Sequence, residues 1–183
     1  MTMIRLAETS DAAQVAAIYA PFCRDSWISF ETEAPEAAEM ASRIESVRRQ
    51  YPWLVDDRGG RVAGYAYASP HRARAAYRWV AEVTVYVHGE FRGRGVGRSL
   101  YAELLGRLRA QGYFKAYAGI ALPNPPSQSF HEAMGFALIA TYRQVGYKLG
   151  AWRDTGWWQY DIQPAVDNPP DPGPPLPGDE PKR

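Results

Sequence analysis

The sequence has little cysteine, little histidine and almost no net charge, and each shortage removes a class of function. A single cysteine, Cys23, excludes an internal disulfide and a cysteine-held metal cluster. Three histidines, His71, His88 and His131, are too few for a histidine-rich metal site, so no metal is expected. Lys and Arg total 21 against 20 for Asp and Glu, so a net charge of +1 gives no electrostatic footprint for nucleic acid or an anionic membrane. No apolar run reaches the length of a membrane span. Arg5, Glu8 and Asp11 stand where a secretion signal needs an apolar stretch. The expectation is a soluble, cytoplasmic protein with no nucleic-acid and no membrane partner.

What is present suits one globular domain. A chain of 183 residues can bury about 70% of its unfolded surface, so a core forms without covalent staples. Residues 163–183 hold eight prolines and no aromatic side chain, which predicts a mobile or polyproline-like tail behind a domain at 1–162. Within the domain, Met3–Leu6 reads as a strand. Thr9 or Ser10 is placed to cap a helix carrying Val15, Ile18, Tyr19 and Phe22 on one face. Pro35 opens a second helix with a stripe of Met40, Ile44 and Val47. Trp53–Asp56 and Arg61–Ser69 read as a hairpin, and Trp79–Val87 as a longer strand. Gly95–Gln111 is helical, closed by Gly112, with Val96, Leu100, Leu104 and Leu108 inside. A strand at Phe114–Ile120, a helix at Asn124–Met134 and two aromatic-rich strands at 136–147 and 155–162 follow. This mixed order predicts an α/β or α+β sheet with helices packed on it. The closing aromatics Trp152, Trp157, Trp158 and Tyr160 are expected in the core or at a dimer contact, with the core the first choice for each singly.

The most informative segment is Phe91-Arg92-Gly93-Arg94-Gly95-Val96-Gly97, between a strand and a helix. A helix start offers unpaired N–H groups and partial positive charge, and glycines let a phosphate approach them. The segment is not a P-loop, since Arg98-Ser99 stands where Lys-Ser/Thr belongs. It is not a dinucleotide fingerprint either, since the sixth residue from Gly93 is Arg98. The pattern that fits is Arg-x-x-Gly-x-Gly on Arg92, Gly95 and Gly97, which resembles the acetyl-CoA pyrophosphate loop of the GNAT N-acetyltransferase superfamily. About 30 residues on, Asn124-Pro-Pro-Ser127 and His131-Glu-Ala-Met-Gly-Phe136 resemble a second motif of that superfamily.

Longer blocks are similar to the phosphinothricin / methionine sulfoximine N-acetyltransferase group. They are Tyr51-Pro-Trp-Leu-Val55, Val62-Ala-Gly-Tyr-Ala66, Ala81-Glu-Val-Thr-Val-Tyr-Val87, Leu122-Pro-Asn124 and Gly146-Tyr-Lys-Leu-Gly-Ala-Trp-Arg-Asp-Thr-Gly-Trp-Trp-Gln159. The resemblance covers nearly all of residues 3–162. It implies a mixed, mostly antiparallel twisted sheet flanked by helices, acetyl-CoA as co-substrate, a small-molecule amine as acceptor and a homodimer.

Acetyl transfer to an amine requires a neutral nucleophile, a stabilised oxyanion and a proton for the departing thiolate. Alternation along the strand puts Glu82, Thr84 and Tyr86 on the face opposite Val83, Val85 and Val87, unless a bulge resets it. Glu82 is therefore the candidate general base, directly or through water, and the group has a glutamate there. His131 shares a helix face with Ser127 and stands where many superfamily members carry an aromatic acid. Acid, or part of a base relay with Glu82, are both open for it. The backbone of Val85, Tyr86 and Val87 is expected to pair with the pantetheine amides. Arg92, Gly93, Arg94, Gly95, Val96 and Gly97 are expected to hold the pyrophosphate, and Asn124 and Ser127 to meet the pantetheine arm.

For the substrate, the resemblance points to Pro70-His-Arg72-Ala-Arg74-Ala-Ala-Tyr77, with Arg72 and Arg74 each able to hold an anionic group and Tyr77 beside them. Phe30 and Tyr86 are the candidate apolar walls. His71 and His88 flank strands and are expected at the surface. The alternatives are a protein or peptide N-acetyltransferase of the same fold and a non-catalytic CoA-binding module.

Overall fold

The computed structural model describes residues 2–175. Seven strands form one sheet, flanked by four helices. In chain order they are β1 (Thr2–Leu6), α1 (Ala12–Arg24), α2 (Ala37–Arg48), β2 (Trp53–Arg58), β3 (Val62–Pro70) and β4 (Val80–Val87). Then come α3 (Val96–Gln111), β5 (Lys115–Leu122), α4 (Pro125–Ala133), β6 (Ala137–Lys148) and β7 (Ala151–Asp161). The spatial order is β1-β2-β3-β4-β5-β7-β6, and only β4 and β5 run parallel. No described helix is long and apolar enough to cross a membrane.

Two cores sandwich the sheet. Leu100, Leu104 and Leu108, one helical turn apart on α3, are fully buried against Leu54, Ala66 and Val83. Each such leucine contributes about 1.5–3 kcal/mol by leaving water. On the other face Val15, Ile18 and Tyr19 of α1 and Met40 and Ile44 of α2 cover Trp53, Val55 and Tyr65. Neither Thr9 nor Ser10 caps α1. The turn before it is closed by Asp11, whose carboxylate accepts from Glu8 N at 2.8 Å and pairs with Arg5 at 2.7 Å.

The sheet's ends differ from the sequence expectation. β7 begins at Ala151, because Leu149 and Gly150 both adopt positive φ (51° and 73°) and make a two-residue hairpin turn. β7 pairs with β5 only from Asp154 to Asp161, so its first residues overhang the sheet with β6. Trp152 lies on that overhang, 59% exposed, and is not a core residue, whereas Trp158 is buried. Of the segment from 163, expected to be mobile or polyproline-like, residues up to Gly173 lie against the body. Trp79 Nε1 donates to Pro170 O at 2.8 Å, and Gly173 N to Gln111 O at 2.7 Å. Residues 176–183 lie outside the described residues.

Candidate active site

β4 and β5 share three rungs, Val80–Lys115, Ala81–Ala116 and Glu82–Tyr117, and then part. β5 continues with β7, while β4 stays in unbroken register with β3 from Ala81 to Val87. No bulge resets β4, so Val83 points to the α3 core and Tyr86 to the opposite one, against Tyr19, Phe22 and Tyr65. Past Glu82, one edge of β4 faces no strand among the described residues. An extended ligand can pair with such an edge as another strand would.

The fork opens into a cleft of about 550 Å³. It gathers Val85, Tyr86 and Val87 of β4, Arg92, Gly93, Gly95, Val96 and Gly97 of the glycine turn, and Asn124 and Ser127 at the start of α4. Gly93 and Gly95 have φ of 71° and 79°, a left-handed conformation that favours glycine, and a Cβ there would meet only open space. Ser99 N is the first amide of α3 to bond back, to Gly95 O at 3.0 Å, so the amides before it have no partner within the helix. Arg94 is the exception: its guanidinium leans on Phe91 at 5.8 Å instead of lining the cleft. Asn124 Oδ1 accepts from Ser127 N at 3.3 Å, which commits its carbonyl to the helix cap and leaves its NH₂ for a ligand. An open strand edge, free helix amides and open space at two left-handed glycines fit a pyrophosphate on an amide-bearing arm.

Sequence reasoning missed Phe22, Ile28, Arg98 and Phe130, which also line the cleft. Arg98 had a signal, since it closes the glycine turn. Ile28 had none, because it comes from the long α1–α2 connection, which folds back over the fork. Tyr19 Oη meets Ser29 Oγ at 2.6 Å, Lys148 Nζ donates to Ser29 O at 2.6 Å, and Trp27 Nε1 to Pro123 O at 3.0 Å. Phe30, on the same connection, packs over Gly146 of β6 and is absent from the cleft walls.

A smaller pocket of about 90 Å³ lies deeper in the fork, lined by Val83, Thr84, Tyr101, Gly119 and His131 among others. His131 is buried. Its Nδ1 sits 2.7 Å from Ser127 O, an acceptor only, so Nδ1 carries the hydrogen and Nε2 accepts from Tyr101 Oη at 3.1 Å. Burial pushes the imidazole below its ordinary range, against the pull of the Ser127 carbonyl.

Glu82 sits on the last shared rung, and its partner is His71, with Nδ1 2.9 Å from Oε1. Burial pushes the Glu82 carboxyl up, while the His71 hydrogen bond and the charges of His71 and Arg72 pull it down. Glu82 and His131 thus belong to separate hydrogen-bonded pairs. The expectation that His71 lies at the surface is wrong: its side chain is 14% exposed and stacks on Tyr117. His88 is half-buried and accepts from Glu90 N at 3.3 Å. Arg72 lies 5.9 Å from the Trp157 ring and Tyr77 sets its ring edge to His71, so both stand by Glu82. Arg74 is exposed: its carbonyl accepts from Tyr77 N at 2.9 Å, and its guanidinium has no hydrogen-bonding partner among the described residues.

With that geometry in view, known proteins give the fold its family. Residues 4–157 match the acetyltransferase (GNAT) domain. The chain is 42% identical over 167 residues to the phosphinothricin N-acetyltransferase of Streptomyces viridochromogenes, covering 91% of each. It is 32% identical over 162 residues to the L-methionine sulfoximine/L-methionine sulfone acetyltransferase of Salmonella typhimurium, covering 87% of this chain and 94% of the relative. The crystal structure of a phosphinothricin acetyltransferase from Sinorhizobium meliloti in complex with AcCoA superposes with a TM-score of 0.84 at 34% identity, covering 92% of this chain and 95% of that one. A Salmonella typhimurium structure solved with its cofactor acetyl-CoA superposes at 0.88, 30% identical, over 93% and 98%. The chain belongs to the GNAT family of acetyltransferases.

Proposed function

We propose that this chain is an acetyl-CoA-dependent N-acetyltransferase acting on the α-amine of a small amino-acid analogue of the phosphinothricin, methionine sulfoximine or methionine sulfone type. The observation that carries this reading is the fork after the Glu82–Tyr117 rung, with the glycine turn at its outer end and a carboxylate at its apex. Relatives of 42% and 32% identity named for those substrates support it.

When bound, acetyl-CoA supplies an activated acyl group. The free amides at the start of α3, with Arg92 and Arg98 beside them, hold its diphosphate. The open edge of β4 orients its arm, and Asn124 adds an amide donor. Glu82 takes a proton from the incoming ammonium, directly or through water. Arg72 and Tyr77, next to Glu82 and His71, meet the anionic end of the amino acid. Tyr86 walls the cleft, and the α1–α2 connection closes it over Ile28. A closed wall there suits a small amine better than a peptide. Leu138, Ile139, Tyr147, Leu149 and Trp152, each more than half exposed on β6, β7 and the turn between them, support a homodimer that covers them. The cytoplasm is the compartment that suits a chain with one free thiol.

Thiol release from acetyl-CoA with a panel of amines tests the reading. Phosphinothricin and methionine sulfoximine are expected to turn over and short peptides are not. Faster turnover of peptides overturns it.

A further inference from the structure

We propose that His71 is a positioning residue for this reaction: its Nδ1–H holds one oxygen of the Glu82 carboxylate and leaves the other to meet the amine. This inference rests on reading Glu82 as the base, and it adds a partner that the glutamate alone does not reveal.

The geometry is specific. Nδ1 lies 2.9 Å from Oε1, and an ionised carboxylate only accepts, so the imidazole donates. Oε2 has no hydrogen-bond partner among the described residues. The ring is held on three sides. It stacks on Tyr117 with centroids 4.6 Å apart and planes 21° apart. Trp157 stands edge-on at 5.7 Å and Tyr77 at 6.0 Å. Tyr117 is also the β5 partner of Glu82 on the last shared rung. The ladder explains the meeting: Ser69 pairs with Glu82 and Pro70 with Ala81 at the end of β3, so His71, two residues past Ser69, returns to the face of Glu82 as its diagonal neighbour. The charged or titratable groups near Glu82 are His71 and Arg72 from this loop, Tyr117 from β5 and Tyr67 from β3, with Tyr77 against the imidazole.

The role differs from packing in what it predicts. A donor to a carboxylate stabilises the charged form and fixes its orientation. Without it, a half-buried Glu82 takes up a proton more readily, and a base must be ionised to work.

The test measures kcat/KM against pH in three variants, with acetyl-CoA affinity as the control for folding. His71→Phe keeps a flat ring on Tyr117 and loses the donor. Its acidic limb is expected to move to higher pH by about one unit, with kcat falling about tenfold, the worth of a hydrogen bond to a charged group. Acetyl-CoA affinity is expected to stay within about twofold, since no part of His71 lines the cleft. His71→Asn restores an N–H close to the Nδ1 position and is expected to bring the limb back. A role in packing alone gives the opposite order, with Phe normal and Asn impaired, and overturns the proposal. So does a limb that His71→Phe leaves unmoved. Glu82→Gln separates the two readings. If it loses the acidic limb and most of its turnover, the base reading stands whatever the His71 variants do. Near-normal turnover in Glu82→Gln removes the base and the role of His71 with it.

Discussion

The hydroxyl of Tyr101 donates to Nε2 of His131 across 3.1 Å, deep in the fork between β4 and β5. With Nδ1 committed to Ser127 O, the buried ring is neutral. Burial depresses its folded-state pKa, whereas the unfolded chain has an ordinary imidazole, near 6.5. As pH falls below that value the unfolded chain takes up the proton first, so stability is full above about 6.5 and declines below it. Within the window, each pH unit removes up to about 1.4 kcal/mol. Urea unfolding from pH 8 to pH 5 is expected to show this decline, and His131→Asn to flatten it. An equally steep decline in the variant assigns the effect to other groups.

Gly95 holds the turn before α3 at φ +79°, with open space where a Cβ would stand. Gly95→Ala is therefore limited by backbone strain alone, about 1–2 kcal/mol of stability, and leaves room for a ligand. Gly95→Trp fills that room. Its dissociation constant for acetyl-CoA, measured by calorimetry, is expected to rise at least about tenfold, the worth of one charge-assisted hydrogen bond. Unchanged affinity in the tryptophan variant places the diphosphate elsewhere.

Gly64 lies in β3 where β4 and α3 converge. An added Cβ would stand 2.9 Å from Tyr86 O and 2.9 Å from Val96 Cγ1. The oxygen belongs to the backbone and cannot swing aside, so β4 must shift near the residues that pair with the ligand. Gly64→Ala is expected to lose about 1–3 kcal/mol of stability, as overpacked cores do, and to weaken acetyl-CoA binding as well. Chemical unfolding and a ligand titration check both. A loss of stability with normal affinity separates the strand's packing from its role as a ligand edge.

What was legible in the sequence was local. The glycine turn reads directly because its chemistry lies in consecutive residues, and the face of Glu82 follows from alternation along an unbroken strand. The turn of α3 over Leu100, Leu104 and Leu108 is equally local. The partner of Glu82 was not legible, because His71 reaches it through the register of β3 on β4 across an intervening loop. Trp152 misled for a similar reason: its exposure depends on where β7 outruns β5. Phe30 looked like a wall residue by type, yet the path of the α1–α2 connection gives that place to Ile28. Phe22 was read as part of a helix stripe, and it is, but the stripe's last turn reaches the cleft.

Residues 164–173 form a strap on the body and not a loose end. Trp79 Nε1 donates to Pro170 O at 2.8 Å, and Arg78 pairs with Asp171 at 2.8 Å. Gly173 bonds Gln111 both ways, through its N at 2.7 Å and its O at 3.0 Å, and Gln50 donates to the same O at 3.3 Å. The exposed ion pair is worth little, and each hydrogen bond nets about 1 kcal/mol. Prolines lower the entropy lost on docking, since their φ is already fixed. Ending the chain at Gln163 is expected to lower stability by about 1–2 kcal/mol, or about 2–8 °C in Tm for a chain of this size. No residue of the strap lines the cleft, so kcat is expected to be retained. An unchanged Tm means the strap adds nothing to stability. A lost kcat at normal Tm means it reaches the reaction, through Arg78 and Trp79 at the foot of the loop that carries His71 and Arg72.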